Sequence, residues 1–246
     1  MSSLVAAHTR FFVIEQLRVP IGILASALFP AISMLAFVVP FAGDDPQAAT
    51  QATGSLMFFG SMSSALISLS IVVSQDREQP WNTYVRTLPA GPFPRFAGRI
   101  LSGFAVMVLS VIPSLLVGAL FTEATATPAQ LLIGLVVLIV TGIPFMLIGL
   151  FVGFTLSARA TLAVSQLLFF PLAILGGLLI PPQILPGFIE VVSPFTPARG
   201  AAELLWWVTT DHAPDLVAVI ALAVWTVVAA VAASWAYRRD EGRRFK

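Results

Sequence analysis

Six long stretches of the chain contain no Asp, Glu, Lys, Arg or His, and this pattern limits the possible folds more than any other feature. Only α-helices and closed β-barrels satisfy their backbone hydrogen bonds inside a bilayer, and a helix needs about 20 apolar residues to cross it. The alternation over roughly 10 residues that barrel strands require is missing. We therefore predict an all-α membrane protein with six transmembrane helices. The stretches are 19–43, 46–75, 100–122, 124–158, 160–189 and 216–237.

Composition supports a single membrane domain covering 1–246. Of the 246 residues 58% are hydrophobic and only 10% are charged, with a mean hydropathy of +0.94, whereas an average soluble domain has about 25% charged residues. Six spans leave no room for a sizeable extramembrane domain. The chain has no cysteine and no phosphate-binding Gly-x-x-x-x-Gly-Lys-Ser/Thr motif, which excludes thiolate chemistry and ATP binding by that motif. Any energy source is expected in a separate chain.

The basic residues predict the orientation. Basic residues concentrate in cytoplasmic segments of membrane proteins. With six spans, twelve of the thirteen basic residues fall on one side, so both termini are expected in the cytoplasm. Frequent Ala and the preference for Arg over Lys favour a bacterial protein, and hence the bacterial cytoplasmic membrane. These twelve are Arg10, Arg18, Arg77, Arg86, Arg95, Arg99, Arg159, Arg238, Arg239, Arg243, Arg244 and Lys246.

Two segments outside the spans have patterns of their own. Residues 1–18 are either a helix along the inner membrane surface or a plain juxtamembrane extension; Leu4, Ala7, Phe11 and Ile14 would form the apolar face. Residues 181–207 carry too many prolines for one helix. They predict a broken, re-entrant hairpin of short helices on the extracytoplasmic side between spans five and six.

Particular residues in and near this hairpin give further expectations. Span five should end near Leu179, and Trp206-Trp207 should lie at the headgroup level. Arg199 and Glu203, four residues apart, predict an i,i+4 ion pair, with a gating role as the alternative. The three longest stretches exceed one span, so each is expected to include interfacial or re-entrant chain.

The polar residues inside the spans are mostly hydroxyls. The span cores carry no charge, which argues against ion-coupled transport, and His8 and His212 fall on opposite sides, so we expect no catalytic or metal site. Five residues in the spans, four serines and one phenylalanine, could line a substrate path. Alternatively, the serines allow close helix packing and the phenylalanine belongs to the core. The candidates are Ser61, Ser64, Ser68, Ser165 and Phe169.

The segment 76–96 is the longest predicted cytoplasmic loop. It opens on Asp76-Arg77-Glu78 and contains both charge signs and two large aromatics. A proline suits the first turn of a helix and stops one that precedes it, so Pro80 and Pro89 predict a short helix between them. Such a surface would suit docking of another protein, although a solvated loop explains the composition equally well.

The order of these elements resembles that of ABC-2 type permeases, the membrane subunits of type V ABC exporters. In that family the loop after span two opens on an acidic-Arg-Glu sequence and ends in a proline before a basic run, as Asp76-Arg77-Glu78, Pro89, Arg95 and Arg99 do here. The prolines of 182–197 are similar to the family's hairpin. Pro80 and Trp81 depart from the usual Gly and Thr.

The resemblance implies two permeases, the second being another copy or a paralogue, and two cytosolic ABC ATPase subunits that hold ATP and Mg²⁺, with no cofactor on this chain. Arg77 and Glu78 would brace the coupling helix, and Trp81, Tyr84 and Arg86 would contact the ATPase. ATP-driven motion would pass to spans two and five.

We expect export of an amphiphilic drug, antibiotic or lipid by a chain that is not itself an enzyme. The basic tail suits topology or contact with membrane lipids, and no nucleic-acid partner is expected. An ATP-independent channel or carrier and a membrane scaffold are the alternatives.

Overall fold

Helices make up nearly all of the residues that the computed structural model describes, which are 2–18, 21–79, 93–182, 186–210 and 212–242; no strand lies within these ranges. The predicted all-α fold is confirmed. The α-helices are α1 (Ser2–Arg18), α2 (Ile21–Ser33), α3 (Val39–Ala42), α4 (Pro46–Ser63), α5 (Leu69–Glu78), α6 (Phe93–Phe121), α7 (Pro128–Thr155), α8 (Ala158–Leu175), α9 (Gly187–Val192), α10 (Pro197–Thr210) and α11 (Leu216–Gly242). Two π-helices, Met34–Val38 and Ser64–Ser68, join α2 to α3 and α4 to α5, and a 3-10 helix, Ser193–Phe195, precedes α10.

Within the described ranges, five helices are long and apolar enough to cross a membrane. They are Pro46–Glu78, Ala97–Phe121, Pro128–Thr155, Ala158–Leu175 and Leu216–Asp240. The predicted first span contains a shorter apolar helix, Ala27–Ala42. The structure thus defines a multi-pass helical membrane protein, and the sixth crossing stays a prediction.

The second predicted span is one continuous helix of 33 residues, Pro46–Glu78. This stretch is therefore helical throughout, and the expectation that part of it lies at the interface stays a prediction. Asp45 caps the helix by accepting hydrogen bonds from the backbone N–H groups of Gln47 (2.9 Å) and Ala48 (3.1 Å). At 1.5 Å per residue the helix is about 50 Å long, well beyond the ~30 Å of hydrocarbon. The helix is therefore long enough for its last turn to lie outside the hydrocarbon core of the membrane.

Span five ends at Leu175, four residues earlier than predicted. Gly177 has φ of 71°, and the N–H groups of Gly177 and Leu178 bond the carbonyls of Ile174 and Ala173 at 3.0 Å each. This hydrogen-bond pair with a left-handed glycine is the Schellman arrangement that terminates helices. The chain then returns, because the Ser193 hydroxyl donates to the Leu175 carbonyl. The re-entry of this segment into the membrane stays a prediction.

Close packing of α7 on the second span depends on glycine. A Cβ atom on Gly149 would lie 2.7 Å from the carbonyl oxygen of Ala65 and 2.9 Å from that of Leu66, both in the second π-helix. Backbone atoms cannot move aside as a flexible side chain can. Small residues at such crossings let membrane helices approach closely.

We therefore predict that Gly149→Ala destabilises the protein by about 1–3 kcal/mol, the usual cost of overpacking. The matched control is Gly134→Ala in the same helix, where a Cβ would meet nothing within 4 Å. The control should be neutral or slightly stabilising, since alanine has the higher helix propensity. The midpoint of thermal unfolding in detergent measures both, and equal midpoints for the two variants would contradict the prediction.

The helix ends form two groups of opposite charge. At what we call the basic end lie α1, the last turns of α5 and α11, the start of α6 and the α7–α8 turn. At the acidic end, the Glu123 N–H donates to the Gly43 carbonyl (2.8 Å) and the Thr125 N–H to the Thr50 hydroxyl (2.9 Å). The described chain therefore begins and ends at the basic end.

The N-terminal segment is a helix that lies against α6. Phe12 is buried there, whereas the predicted apolar face is exposed, with Phe11 at 60%. An exposed apolar face on a helix at the basic end fits the interfacial interpretation, which remains a prediction. That face comprises Leu4, Ala7, Phe11 and Ile14.

Candidate functional site

Arg77 lies in the last turn of α5 and caps the C-terminus of α7. Its Nη1 donates to the carbonyl oxygens of Gly153 (2.8 Å) and Leu156 (3.0 Å). The last carbonyls of a helix lack intrahelical partners and carry the negative end of the helix dipole, which favours a cation. Nε and Nη2 of the same guanidinium contact Oδ1 of Asp240 in α11, at 2.9 and 2.8 Å. One side chain thus joins three helices.

Glu78, the next residue, caps the N-terminus of α8. Its Oε1 accepts a hydrogen bond from the backbone N–H of Ala158 at 2.9 Å. The first N–H groups of a helix carry the positive end of the dipole and favour an anion. The α7–α8 turn is therefore held on its carbonyl side by an arginine and on its N–H side by a glutamate. Movement of the end of α5 is tied to both helices.

Asp76 completes this turn by pairing with Arg99. Arg99 is 6% exposed and lies in α6 rather than in a loop, because α6 begins at Phe93 and not near residue 100 as predicted. The guanidinium carbon of Arg99 lies 3.7 Å from the ring centre of Phe12. Its Nη1 lies 4.0 Å from Oε2 of Glu15. A carboxylate and an aromatic face together make a buried arginine tolerable.

We call these five residues the helix-end junction: Asp76, Arg77, Glu78, Arg99 and Asp240. Sequence analysis did not predict that Arg99 pairs with Asp76 or Asp240 with Arg77, since Asp240 lies 163 positions from Arg77. An acidic residue within a basic tail is the one available signal, and it does not name a partner. The other predicted coupling residues, Trp81, Tyr84 and Arg86, lie outside the described residues, so their ATPase contact stays a prediction.

The predicted substrate-path residues lie within the packed helices. Ser165 is fully buried and bonds the Ser70 hydroxyl at 2.7 Å, and the Phe169 ring lies 4.7 Å from that of Phe59 in an edge-to-face contact. Ser61 and Ser64 are buried but Ser68 is half-buried, because the wider π turn between them rotates Ser68 relative to a regular helix. Both the path and the packing interpretation stay open.

A second charged cluster lies at the acidic end around Glu203, which is 1% exposed. Its Oε1 contacts Arg199 Nη2 at 2.6 Å, which confirms the predicted i,i+4 pair. Its Oε2 contacts Nε2 of His212 at 3.0 Å and accepts from the N–H of Asp215 at 3.2 Å. Glu203 therefore holds the turn that connects α10 to α11.

Trp206 is not the interfacial anchor that we predicted. It is 1% exposed, and its indole N–H donates to the Ser55 hydroxyl at 2.9 Å. Trp207, by contrast, is 51% exposed. Successive residues of a helix point about 100° apart around its axis, so one tryptophan faces the core while its neighbour faces outward. Trp206 thus fixes α10 against α4.

The fold and the junction define a multi-pass helical membrane protein in which the end of α5 is joined to the ends of α6, α7, α8 and α11. A family model described as ABC-2 type transporter matches residues 4–208. The chain belongs to the ABC-2 type transporter family, which confirms the resemblance found in the sequence. It is therefore the membrane subunit of a transporter, a class that pairs with an ABC ATPase.

A relative of known sequence supports this assignment. The chain is 20% identical over 187 residues to a protein of Bacillus subtilis (strain 168) described as "Putative transport permease YvfS". The match covers 76% of each chain. The similarity thus extends over most of both proteins rather than over one motif.

Proposed function

We propose that this chain is the permease subunit of an ATP-driven exporter that moves an amphiphilic substrate outward across the bacterial cytoplasmic membrane. Two cytosolic ATPase subunits would bind ATP and Mg²⁺ and pair with two permeases. The observation that carries the proposal is the helix-end junction, which connects the segment before residues 80–92 to the ends of α6, α7, α8 and α11. A helix end held in this way can transmit a force that is applied to it.

The proposed topology has six spans, with both termini in the cytoplasm. The uninterrupted helical backbone of α2, the first π-helix and α3 supports the additional crossing. The basic end carries most of the arginines, which supports a cytoplasmic location for this end and for both termini. For residues 181–207 we propose a re-entrant hairpin, supported by the hydrogen bond that returns Ser193 to the end of α8.

The proposed coupling route runs from the ATPase through residues 80–92 to α5. Glu78 links α5 to α8, the second span to the fifth, through the N–H of Ala158. Arg77 adds α7 and α11 to the same movement. Because all these contacts are made at helix ends, a small displacement of α5 would tilt whole helices instead of deforming their interiors.

The test is purification of the tagged chain from its host in mild detergent, with mass spectrometry of the proteins that accompany it. We expect an ATPase with a phosphate-binding loop to copurify, and to be lost on combining Trp81→Ala with Tyr84→Ala. The matched control is Trp207→Ala, which removes an exposed tryptophan at the acidic end and should leave the complex intact.

The opposite result has a definite meaning. A chain that purifies alone and moves substrate without ATP would be a channel or carrier, and the proposal would be rejected. If the ATPase still copurifies with the double variant, the chain has an ATPase partner but this loop is not its docking site.

A further inference from the structure

The last turns of α11 form an open groove at the basic end. It has a volume of about 640 Å³ and is lined by Ala230, Val231, Ser234, Trp235, Arg238 and Arg239. These positions form two series with a spacing of four residues, which on a helix are neighbouring ridges with a furrow between them. The groove therefore runs along one face of the helix.

The chemistry of the groove changes along its length. Ala230 and Val231 make its inner part apolar, and Trp235, 50% exposed, lies next to them. Arg238 and Arg239 form the outer part, and the Arg239 guanidinium carbon lies 5.0 Å from the Trp235 ring centre. Tryptophan and arginine at the end of a span are typical of the headgroup level of a membrane.

The two arginines have charge available for a ligand. In the described part of the chain, the ion pairs involve Arg77, Arg99, Arg199 and His212, and neither Arg238 nor Arg239 takes part in one. The neighbouring carboxylate of Asp240 is directed to Arg77 instead. Two adjacent cations therefore face a groove whose floor is apolar.

We propose that this groove binds an acidic phospholipid, with the headgroup phosphate at Arg238 and Arg239 and an acyl chain along Ala230 and Val231. Basic residues next to a span attract anionic lipid in this way, and arginine donates to phosphate oxygens in a bidentate manner. A second copy of the chain fits less well, because a two-fold interface centred on the groove would bring the arginines of both copies together.

The test is native mass spectrometry of the full-length chain in the complex in which it purifies, with added phosphatidylglycerol or phosphatidylcholine of identical acyl chains. We expect phosphatidylglycerol to be retained about tenfold more strongly, and Arg238→Gln with Arg239→Gln to remove that preference. The double variant Arg238→Lys with Arg239→Lys keeps the positive charge and should keep most of the preference for phosphatidylglycerol. The matched control, Arg10→Gln with Arg159→Gln, removes two exposed arginines at the same end and should change nothing.

Three outcomes would overturn the assignment: equal retention of the two lipids, a preference that survives the glutamine variant, or a preference lost equally in the control. A chain dimer that only the glutamine variant alters would assign the groove to a second copy instead. A thermal-unfolding midpoint shared by all variants shows that lost retention reflects the site and not the fold.

Discussion

Replacement of Arg77 by alanine is expected to uncouple the transporter while leaving the ATPase bound and active. The change removes two bonds to the end of α7 and both contacts with Asp240. The ATP-dependent response at the acidic end should fall by about tenfold or more, within the 1–3 kcal/mol typical of coupling between sites. The change also removes the arginine that pairs with Asp240, a carboxylate that is 6% exposed, so the thermal-unfolding midpoint is expected to fall as well.

The absence of cysteine makes this response measurable. Phe188→Cys places a single thiol at a 73% exposed position in α9, where a membrane-impermeant fluorophore reports ATP-dependent change. Partner ATP hydrolysis is measured on the same sample. This design does not depend on knowing the substrate.

Two variants serve as controls for Arg77→Ala. Arg77→Lys keeps the charge but loses the planar fork that reaches Asp240 and α7 together, so an intermediate response is expected. Arg159→Ala removes an exposed arginine close to the same turn and should respond as the parent does. A full response in Arg77→Ala would show that the signal takes another route, and loss of the ATPase from the complex would assign Arg77 to docking.

The features that the sequence could predict are those set by local pattern. Apolar length predicted membrane helices, and the four-residue spacing predicted the pair of Arg199 and Glu203. Both follow from helix geometry and the absence of water in the bilayer. The order of spans and prolines was sufficient to recognise the family.

The features that the sequence could not predict depend on contacts between distant segments. Arg77 and Asp240 are far apart in sequence, and the contacts of Arg99 with Asp76 and Phe12 join segments that no local pattern connects. The π-helix between Ser64 and Ser68 leaves no compositional signal, yet it decides which hydroxyls share a face. Trp206 was assigned to the membrane interface because tryptophan is common there, whereas tertiary packing buries it.

Replacement of Glu203 by alanine should cause the largest loss of stability at the acidic end. Glu203 is 1% exposed, and its removal leaves Arg199 without its carboxylate and releases the turn at His212 and Asp215. Loss of one partner of a buried pair costs about 3–5 kcal/mol. The thermal-unfolding midpoint of the purified protein in detergent measures the effect.

The matched control is Glu190→Ala, an exposed carboxylate at the same end of the protein, which should change stability by no more than about 0.5 kcal/mol. Combining Glu203→Ala with Arg199→Met separates the two causes. If the uncompensated charge dominates, the double variant regains much of the lost stability, because an apolar side chain costs nothing to leave unpaired. If release of the α10–α11 turn dominates, the double variant stays as unstable as Glu203→Ala. Equal midpoints for Glu203→Ala and Glu190→Ala would show that the cluster does not stabilise the fold.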